Sequence, residues 1–408
     1  MMEHFMKCIN CGEKYDSDEI VYVCTKCGDL LEIQFDYNEV SKKLDESEWL
    51  KRPLNVWRYR ELLPINPHSN IISLNEGGTS LQICTRLGKH LNLNHIYVKN
   101  EGENPTGSFK DRGMTVGVSK AVELGSKNVG CASTGNTSAS LAAYSAKAGI
   151  RAIVFIPSGK IALGKLTQAM VHGAKIVQIN GNFDDALRTM INFAKSNPKI
   201  YLLNSINPYR LEGQKTIAYE LYHQLGCGIP STIILPVGNA GNISAIWKGF
   251  VELKKLGLIK NLPRMVGIQA ENASPITAAF KLKKKEVTPF SHPETVASAI
   301  RIGFPVSWKK ALNAVYSSGG LMETVSDIEI LEAQKLLART EGIFVEPASA
   351  ASIAGLKKIY NLNLINADET VICVTTGHGL KDPDVVISNY EQPLELDLKK
   401  ELLSQILV

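Results

Sequence analysis

From residue 95 onward the chain alternates short apolar segments with longer amphipathic ones, and this rhythm limits the fold more than any other feature. The segments HIYVKN (95–100), NVGCAS (128–133), RAIVFIP (151–157), KIVQIN (175–180) and IYLLNS (200–205) each have the length and apolar content of a buried strand, as do STIILPVG (231–238), RMVGIQA (264–270) and ETVICVTT (369–376). Between or after them lie helix-like runs: SFKDRGMTVGVSKAVELG (108–125), TSASLAAYSAKAG (137–149), IALGKLTQAMVHG (161–173), NFDDALRTMINFAKSN (182–197), ILEAQKLLART (330–340) and SAASIAGLKKIY (349–360). Short apolar strands separated by helices predict parallel sheets covered on both faces. The fold class is therefore α/β, with two doubly wound sheets. The β/α run from Thr115 to Ser205 is long enough for one compact sheet, and the remainder forms a second, larger one.

The 408 residues are 44% hydrophobic, enough for a large core and about two to three domains. A formal net charge of +5 is small for this length, and the first fifty residues carry 5 Lys against 12 Asp or Glu. An acidic leading segment repels phosphate backbones, which argues against a nucleic-acid partner. No apolar run approaches the ~20 residues of a membrane span. The start, MMEHFMKC, lacks the apolar core of a signal peptide. The expectation is a soluble cytoplasmic protein with reduced thiols and no membrane partner. The cluster KLKKK (281–285) reads as a solvated helix face or loop, and LELDLKKELLSQILV (394–408) as an amphipathic segment packing on the body or on a partner subunit.

Cys8, Cys11, Cys24 and Cys27 form two C-x-x-C pairs separated by twelve residues, with Gly12 and Gly28 after each pair. Two such knuckles suit tetrahedral sulfur ligation of zinc, and four thiolates leave no open position, so the metal is expected to be structural. A disulfide pair or free thiols are the alternatives, the first disfavoured by a reducing compartment. Cys84, Cys131, Cys227 and Cys373 are isolated and read as small core residues.

In open α/β sheets, ligands gather at the carboxyl ends of strands. Three loops at such ends are rich in small polar residues: STGNTSAS (133–140), VGNAGNIS (237–244) and TTGHG (375–379). Each alone is weak, because the same residues build ordinary turns and caps. Together they offer one site rich in hydroxyls, amides and backbone N–H groups. GNAGN suits a phosphate: Gly238 and Gly241 allow close backbone approach, and a following helix adds free N–H groups. It lacks the spacing of a dinucleotide fingerprint.

The segment VKNEGENPTGSFKDRGM (98–114) places Gly102 and Gly107 in a G-x-x-x-x-G frame, yet Ser108 and Phe109 separate Gly107 from Lys110, and Asp111 follows the lysine. That register excludes a nucleotide phosphate loop. Lys110 falls instead in the first turn of a helix, where the helix dipole disfavours the ammonium form. A neutral amine is what condensation with a carbonyl requires. A lone lysine at a helix start is ordinarily a surface charge; the neighbouring loops make the covalent reading competitive.

In this order, ENPTGSFKDRG, STGNTSAS, PVGNAGNI and TTGHG resemble the pyridoxal-phosphate enzymes of fold type II, and most closely the threonine synthases. NEGGTSL (75–81), GKIALGKLTQAMVHGA (159–174), GNFDDAL (181–187), NSINPYRLEGQKT (204–216), AIRIGFPVSW (299–308) and EGIFVEPASAAS (341–352) extend the likeness to about Pro383. The resemblance implies that Lys110 would bind pyridoxal phosphate covalently and later shuttle protons. Asn136 would meet the ring hydroxyl, and Gly238, Asn239, Ala240, Gly241 and Asn242 would cradle the phosphate. Thr376 would offer a neutral hydroxyl to the pyridine nitrogen. Ser133, Thr134 and Thr137 would receive the substrate carboxylate. Asn204, Ser205 and Arg210 would receive its phosphate, a surface ion pair being the lesser alternative for Arg210.

The activity implied is conversion of O-phospho-L-homoserine and water to L-threonine and phosphate, by γ-elimination and β-addition. The departed phosphate would serve as base for the water, with His378 read as a structural loop residue. The alternatives on the same scaffold are cysteate synthase-like replacement on phosphoserine and dehydration of serine or threonine; a zinc-ribbon nucleic-acid protein with an inert body is a remote one. The implied layout is a zinc-ribbon-like segment at 1–36, a large domain from 37–114 and 206–408, and a small α/β domain at 115–205, assembled as a homodimer. One departure is visible: the family commonly has Asn where this chain has Phe304.

Overall fold

The computed structural model describes residues 4–158, 163–181 and 183–390. The segment 394–408, and residues 159–162 of the GKIALGKL run, lie outside the described residues. Among the described residues thirteen strands are present in chain order: β1 (His4–Cys8), β2 (Lys14–Tyr15), β3 (Leu31–Phe35), β4 (Leu81–Ile83), β5 (His95–Asn100), β6 (Asn128–Ala132), β7 (Arg151–Pro157), β8 (Lys175–Ile179), β9 (Ile200–Leu202), β10 (Thr232–Pro236), β11 (Arg264–Ala270), β12 (Leu321–Val325) and β13 (Thr370–Thr375). They form a three-stranded sheet ordered β2-β1-β3, a six-stranded sheet ordered β12-β11-β10-β13-β5-β4 and a four-stranded sheet ordered β8-β7-β6-β9. The four-stranded sheet is parallel throughout, and the six-stranded one is parallel except for the antiparallel edge strand β4.

The central strands of both larger sheets are buried on both faces, whereas the edge strands β4 and β8 are partly exposed. In β10, Ile233 and Leu235 face Ile243, Ile246 and Phe250 of the helix Gly241–Lys255. Ile234, between them, joins the opposite core, with Val371 and Cys373 of β13 and Ile353 and Leu356 of the helix Pro347–Asn361. The period-two alternation therefore separates two apolar layers rather than an inside from an outside. The small sheet does the same. Val129 and Cys131 pack on Leu141 and Tyr144, whereas Ala132 and Phe155 pack on Met190.

This topology gathers the loops. Strands β10, β13 and β5 are neighbours running in one direction, so GNAGN, TTGHG and the Lys110 loop leave the sheet at one end. Strands β6 and β9 are likewise parallel neighbours, which brings STGNT beside NSINPYR.

The N-terminal sheet is strapped to both larger ones. Tyr22 Oη accepts from the Leu202 backbone N–H at 2.7 Å, and Lys120 pairs with Asp18 at 3.0 Å. On the other side, Lys309 pairs with Asp29, and Lys248 donates to the Ile33 carbonyl at 2.5 Å. Buried Lys215, Lys248, Glu212 and Glu252 interlock beneath β3, and Tyr37 donates to Glu252 at 2.8 Å.

Two expectations need correction. Cys84, Cys131 and Cys373 are buried, but Cys227 is exposed, in a turn where its φ is +64°. The apolar rhythm also does not single out the edge strands β4 and β12, because LQI is only three residues long and LMETV carries a glutamate. The lysines 281–285 are exposed as expected, with Lys281 paired to Glu323 at 2.6 Å.

Candidate active site

Lys110 opens the helix Lys110–Glu123 and is half-buried, its Nζ 4.0 Å from the centroid of the Phe109 ring. Burial brings its amine down to about 7; the Arg210 charge lowers it further and Glu346 opposes both. The helix start contributes a favourable placement, but removal from water is the main cause.

Backbone bonds tie this lysine to the loop after β13. Phe109 N–H donates to the Thr376 carbonyl at 3.0 Å, Ser108 bridges Gly377, and His378 N–H donates to the Gly107 carbonyl at 2.9 Å. The Thr376 hydroxyl lies 3.0 Å from Ser349 Oγ, which also accepts the backbone N–H groups of Thr376 and Gly377 at 2.9 and 2.8 Å. His378 Nδ1 accepts from Leu380 N–H at 3.1 Å, and its ring stands edge-on to Phe344 at 5.7 Å. Its visible bonds are those of a loop brace.

Two neighbours of Lys110 anchor the helix. Asp111 is fully buried and accepts from Thr106 N–H at 2.7 Å, Thr106 Oγ1 at 2.6 Å and Ser140 Oγ at 2.6 Å. It thereby pins the helix Asn136–Ala148 to the Lys110 helix. Burial raises its carboxyl to about 6, against those three hydrogen bonds. Arg112 lies between the carboxylates of Glu101 and Glu220, all fully buried.

The helix Tyr209–Gln214 crosses the Lys110 helix through glycines. A Cβ on Gly213 would sit 1.6 Å from the Arg112 carbonyl oxygen, and one on Gly113 would sit 2.5 Å from the Arg210 carbonyl oxygen. This crossing delivers Arg210 to the site. It is buried and donates to the Leu203 carbonyl at 3.0 Å, while its Nε has no partner among the described residues. Burial lowers its guanidinium to about 10, and the neighbour acting on its charge is the Cys131 thiol. A surface ion pair is thereby excluded; an unpaired buried guanidinium is a site for an anion. Asn204 spends its Oδ1 and one N–H on the Ala132 backbone, both at 3.0 Å, and so holds the start of the Ser133 loop with one N–H left over. Ser133, Thr134, Asn136 and Thr137 line that loop, half-buried.

In GNAGN, Ala240 adopts φ +65° as the residue before the helix Gly241–Lys255. The Asn242 side chain is buried, and neither its Nδ2 nor its Oδ1 has a partner among the described residues. The Gln214 Oε1, also without a partner, is 4.0 Å from where a Gly241 Cβ would lie. Asn239 instead receives Ser307 N–H at 3.1 Å through its carbonyl. Unspent amide donors at the start of a fifteen-residue helix form a fitting cradle for a phosphate. A pyridoxal ring carrying that phosphate needs a hydroxyl for its nitrogen and an amine for its aldehyde, and the Thr376 and Lys110 loops, leaving neighbouring strands, supply both types.

In the N-terminal segment, the Sγ atoms of Cys8, Cys11, Cys24 and Cys27 all lie within 4.8 Å of one another. The separations Cys8–Cys27, Cys11–Cys24 and Cys11–Cys27 are 3.4, 3.5 and 3.6 Å. Tetrahedral zinc at ~2.3 Å from each sulfur sets them ~3.8 Å apart, so the cage suits one such ion. Gly12 and Gly28, at φ +78° and +75°, return the chain after each pair.

Glu346, Ser349, Asp111 and Lys381 stand at the site although residue reasoning did not single them out. The signal for the first two was the polar pair within the apolar stretch FVEPASAAS. Phe304, at the position of departure, is 54% exposed.

Comparison with known proteins gives the family. The family model described as pyridoxal-phosphate dependent enzyme matches residues 72–377. The threonine synthase of Methanocaldococcus jannaschii is 60% identical over 98% of both chains. That of Methanosarcina acetivorans is 56% identical over 97% of this chain and 96% of its own, and that of Mycobacterium bovis 53% identical over 81% and 89%. Among solved structures, an L-serine ammonia-lyase from Rhizomucor miehei has a TM-score of 0.65 at 20% identity over 77% of this chain and 98% of its own. Maize serine racemase has a TM-score of 0.64 at 20% identity over 76% and 91%; these two share the fold. The chain belongs to the pyridoxal-phosphate-dependent enzyme family and, within it, to the threonine synthases.

Proposed function

We propose that this chain converts O-phospho-L-homoserine and water to L-threonine and phosphate. The observation that carries the reading is Arg210, a buried guanidinium without a carboxylate partner among the described residues, brought beside a half-buried lysine of lowered basicity. An anionic substrate that places its phosphate on Arg210 satisfies the guanidinium and leaves its amine within the Lys110 site. The relatives named threonine synthase support the same reading.

Pyridoxal phosphate, when bound, supplies a carbonyl for amines and an electron sink for carbanions. Lys110 would carry it, Asn136 would meet its ring hydroxyl, Thr376 would offer its hydroxyl to the ring nitrogen, and Gly238, Asn239, Ala240, Gly241 and Asn242 would hold its phosphate. Ser133, Thr134 and Thr137 bind the substrate carboxylate. Asn204, Ser205 and Arg210 orient the substrate phosphate, the leaving group at Cγ. Lys110, near neutrality as a free base, takes the Cα proton, passes it on and then takes a Cβ proton; two protons return to the substrate, one at Cγ and one at Cα. The departed phosphate, retained by Arg210, accepts a proton from the water that adds at Cβ.

The four cysteines hold a structural zinc in the segment 1–36. Residues 37–114 and 206–408 act as the large domain and 115–205 as the small one, in a cytoplasmic homodimer. Among the described residues no helix is long and apolar enough to cross a membrane. Borohydride reduction followed by peptide mass spectrometry tests the cofactor assignment. The adduct is expected on Lys110; an adduct on Lys99 or Lys381, or none, overturns it.

A further inference from the structure

Glu346 is the residue before the helix Pro347–Asn361 and is 4% exposed. Its two carboxylate oxygens lie 3.2 and 3.1 Å from Asn136 Nδ2. Its backbone N–H donates to the Gly377 carbonyl at 3.0 Å. A Cβ on Gly377 would come within 2.7 Å of the Glu346 carboxylate, so only glycine leaves that carboxylate its place. Burial raises its carboxyl; the Asn136 amide on the small sheet's side, Lys381 of the C-terminal turn and Lys110 of the catalytic helix oppose this and favour the carboxylate, while Asp382 adds to the rise.

A carboxylate offers lone pairs only, and this dictates which face of Asn136 it can accept. Turned the other way, the amide would set its Oδ1 against a buried anion. The near-equal contacts share one N–H between the two oxygens. The second N–H is left to donate elsewhere, and the Oδ1 is turned away. We propose that Glu346 is a positioning residue for Asn136: it fixes the amide with its nitrogen inward, so that Asn136 acts as a donor to the cofactor's ring oxygen. This deepens the reading above and rests on Asn136 meeting that oxygen. Glutamine at 346 has a donor and an acceptor face of its own and imposes no such choice.

The test is a double-mutant cycle on the full chain stripped of pyridoxal phosphate and titrated with it. Glu346→Gln is expected to raise the dissociation constant about tenfold, with the melting midpoint of the stripped chain unchanged, and to lower kcat while KM stays within twofold. In an Asn136→Ala background the same substitution changes the dissociation constant less than twofold. Equal weakening in both backgrounds, or no weakening in either, overturns the proposal. Should Glu346→Gln fail to fold, Asn136→Asp carries the test: it keeps the shape of asparagine but offers Glu346 no N–H. It must bind pyridoxal phosphate about tenfold more weakly than Asn136→Ser; equal affinity overturns the proposal. Failure of the underlying cofactor reading is separate, since a Lys110→Ala chain that still yields a borohydride adduct reveals it without reference to Glu346.

Discussion

The Arg112 guanidinium forms two parallel hydrogen bonds with the Glu220 carboxylate, at 2.6 and 2.7 Å, with both side chains closed to solvent. It makes a second pair of bonds to Glu101, at 2.5 and 2.7 Å, and Lys99 completes the group by donating to Glu220 at 2.7 Å. Two cations and two anions thus balance in the interior, two residues from the proposed catalytic lysine. Such a group stabilises little relative to an apolar core, but breaking it is costly because the surviving charges stay buried.

Arg112→Met leaves Glu101 and Glu220 with Lys99 alone. Urea unfolding of the chain should show a loss of about 3–5 kcal/mol. A loss under about 1 kcal/mol would mean that water or local rearrangement compensates the carboxylates.

Acid acts on the same group. Burial alone raises the Glu220 carboxyl, but the Arg112 and Lys99 charges overcome this and hold it at about 2. Its folded value lies below the unfolded value of about 4.3, so its stabilising share is full above that pH and fades as pH falls toward 2. Urea midpoints from pH 6 down to pH 2 should fall less steeply in Glu220→Gln than in the parent.

The helix crossing at Gly113 and Gly213 admits no side chain. Gly213→Ala must separate the two helices, since its Cβ would meet the Arg112 carbonyl oxygen at 1.6 Å. The expected destabilisation is about 3 kcal/mol, with an activity loss beyond it because Arg210 moves with its helix. An alanine variant of parental stability and activity would contradict the described crossing.

The basicity of Lys110 should respond to its neighbours with opposite signs. Burial lowers it, the Arg210 charge lowers it further, and Glu346 raises it. Arg210→Met should move the half-point of Lys110 acylation, read by peptide mass spectrometry, up from about 7, and Glu346→Gln should move it down. The sign for stability follows. Between about 7 and the unfolded lysine value of ~10.4, the unfolded chain binds more protons, so the cofactor-free chain gains stability as pH rises there, and Lys110→Met loses that gain.

Removing metal from the four-cysteine cage should loosen more than the cage. The segment after Tyr15 touches Leu202, Tyr209 and Lys120 around the small sheet, and Asp29 reaches Lys309 beside the large one. Chelation is expected to lower the melting midpoint by several degrees and to raise amide exchange along Ile200–Leu202. A melting curve indifferent to chelator, with one equivalent of zinc removed, would show that the straps hold without it.

Much of this was legible in the sequence because parallel strands buried on both faces must be short and apolar. HIYVKN, RAIVFIP and RMVGIQA coincide with β5, β7 and β11 residue for residue. The loops at strand ends were legible from their Gly, Ser, Thr and Asn content. Strand order was not, since no local residue pattern encodes that β13 lies between β10 and β5. Glu346 stood out only as a polar residue within FVEPASAAS: a glutamate before a proline reads as an ordinary helix start, and the tertiary pairing with Asn136 gives it a role. Cys227 misled because an isolated cysteine usually packs inside, whereas the φ of +64° belongs to an exposed turn. The burial of Arg210 came from two glycines a hundred residues apart, a coincidence that no local pattern encodes.

The most direct measurement is product analysis with O-phospho-L-homoserine, on the parental chain and on Lys110→Ala. The prediction is phosphate and L-threonine in equal amounts from the parent and neither from the variant. Phosphate released without threonine, or threonine still formed by Lys110→Ala, would contradict the account.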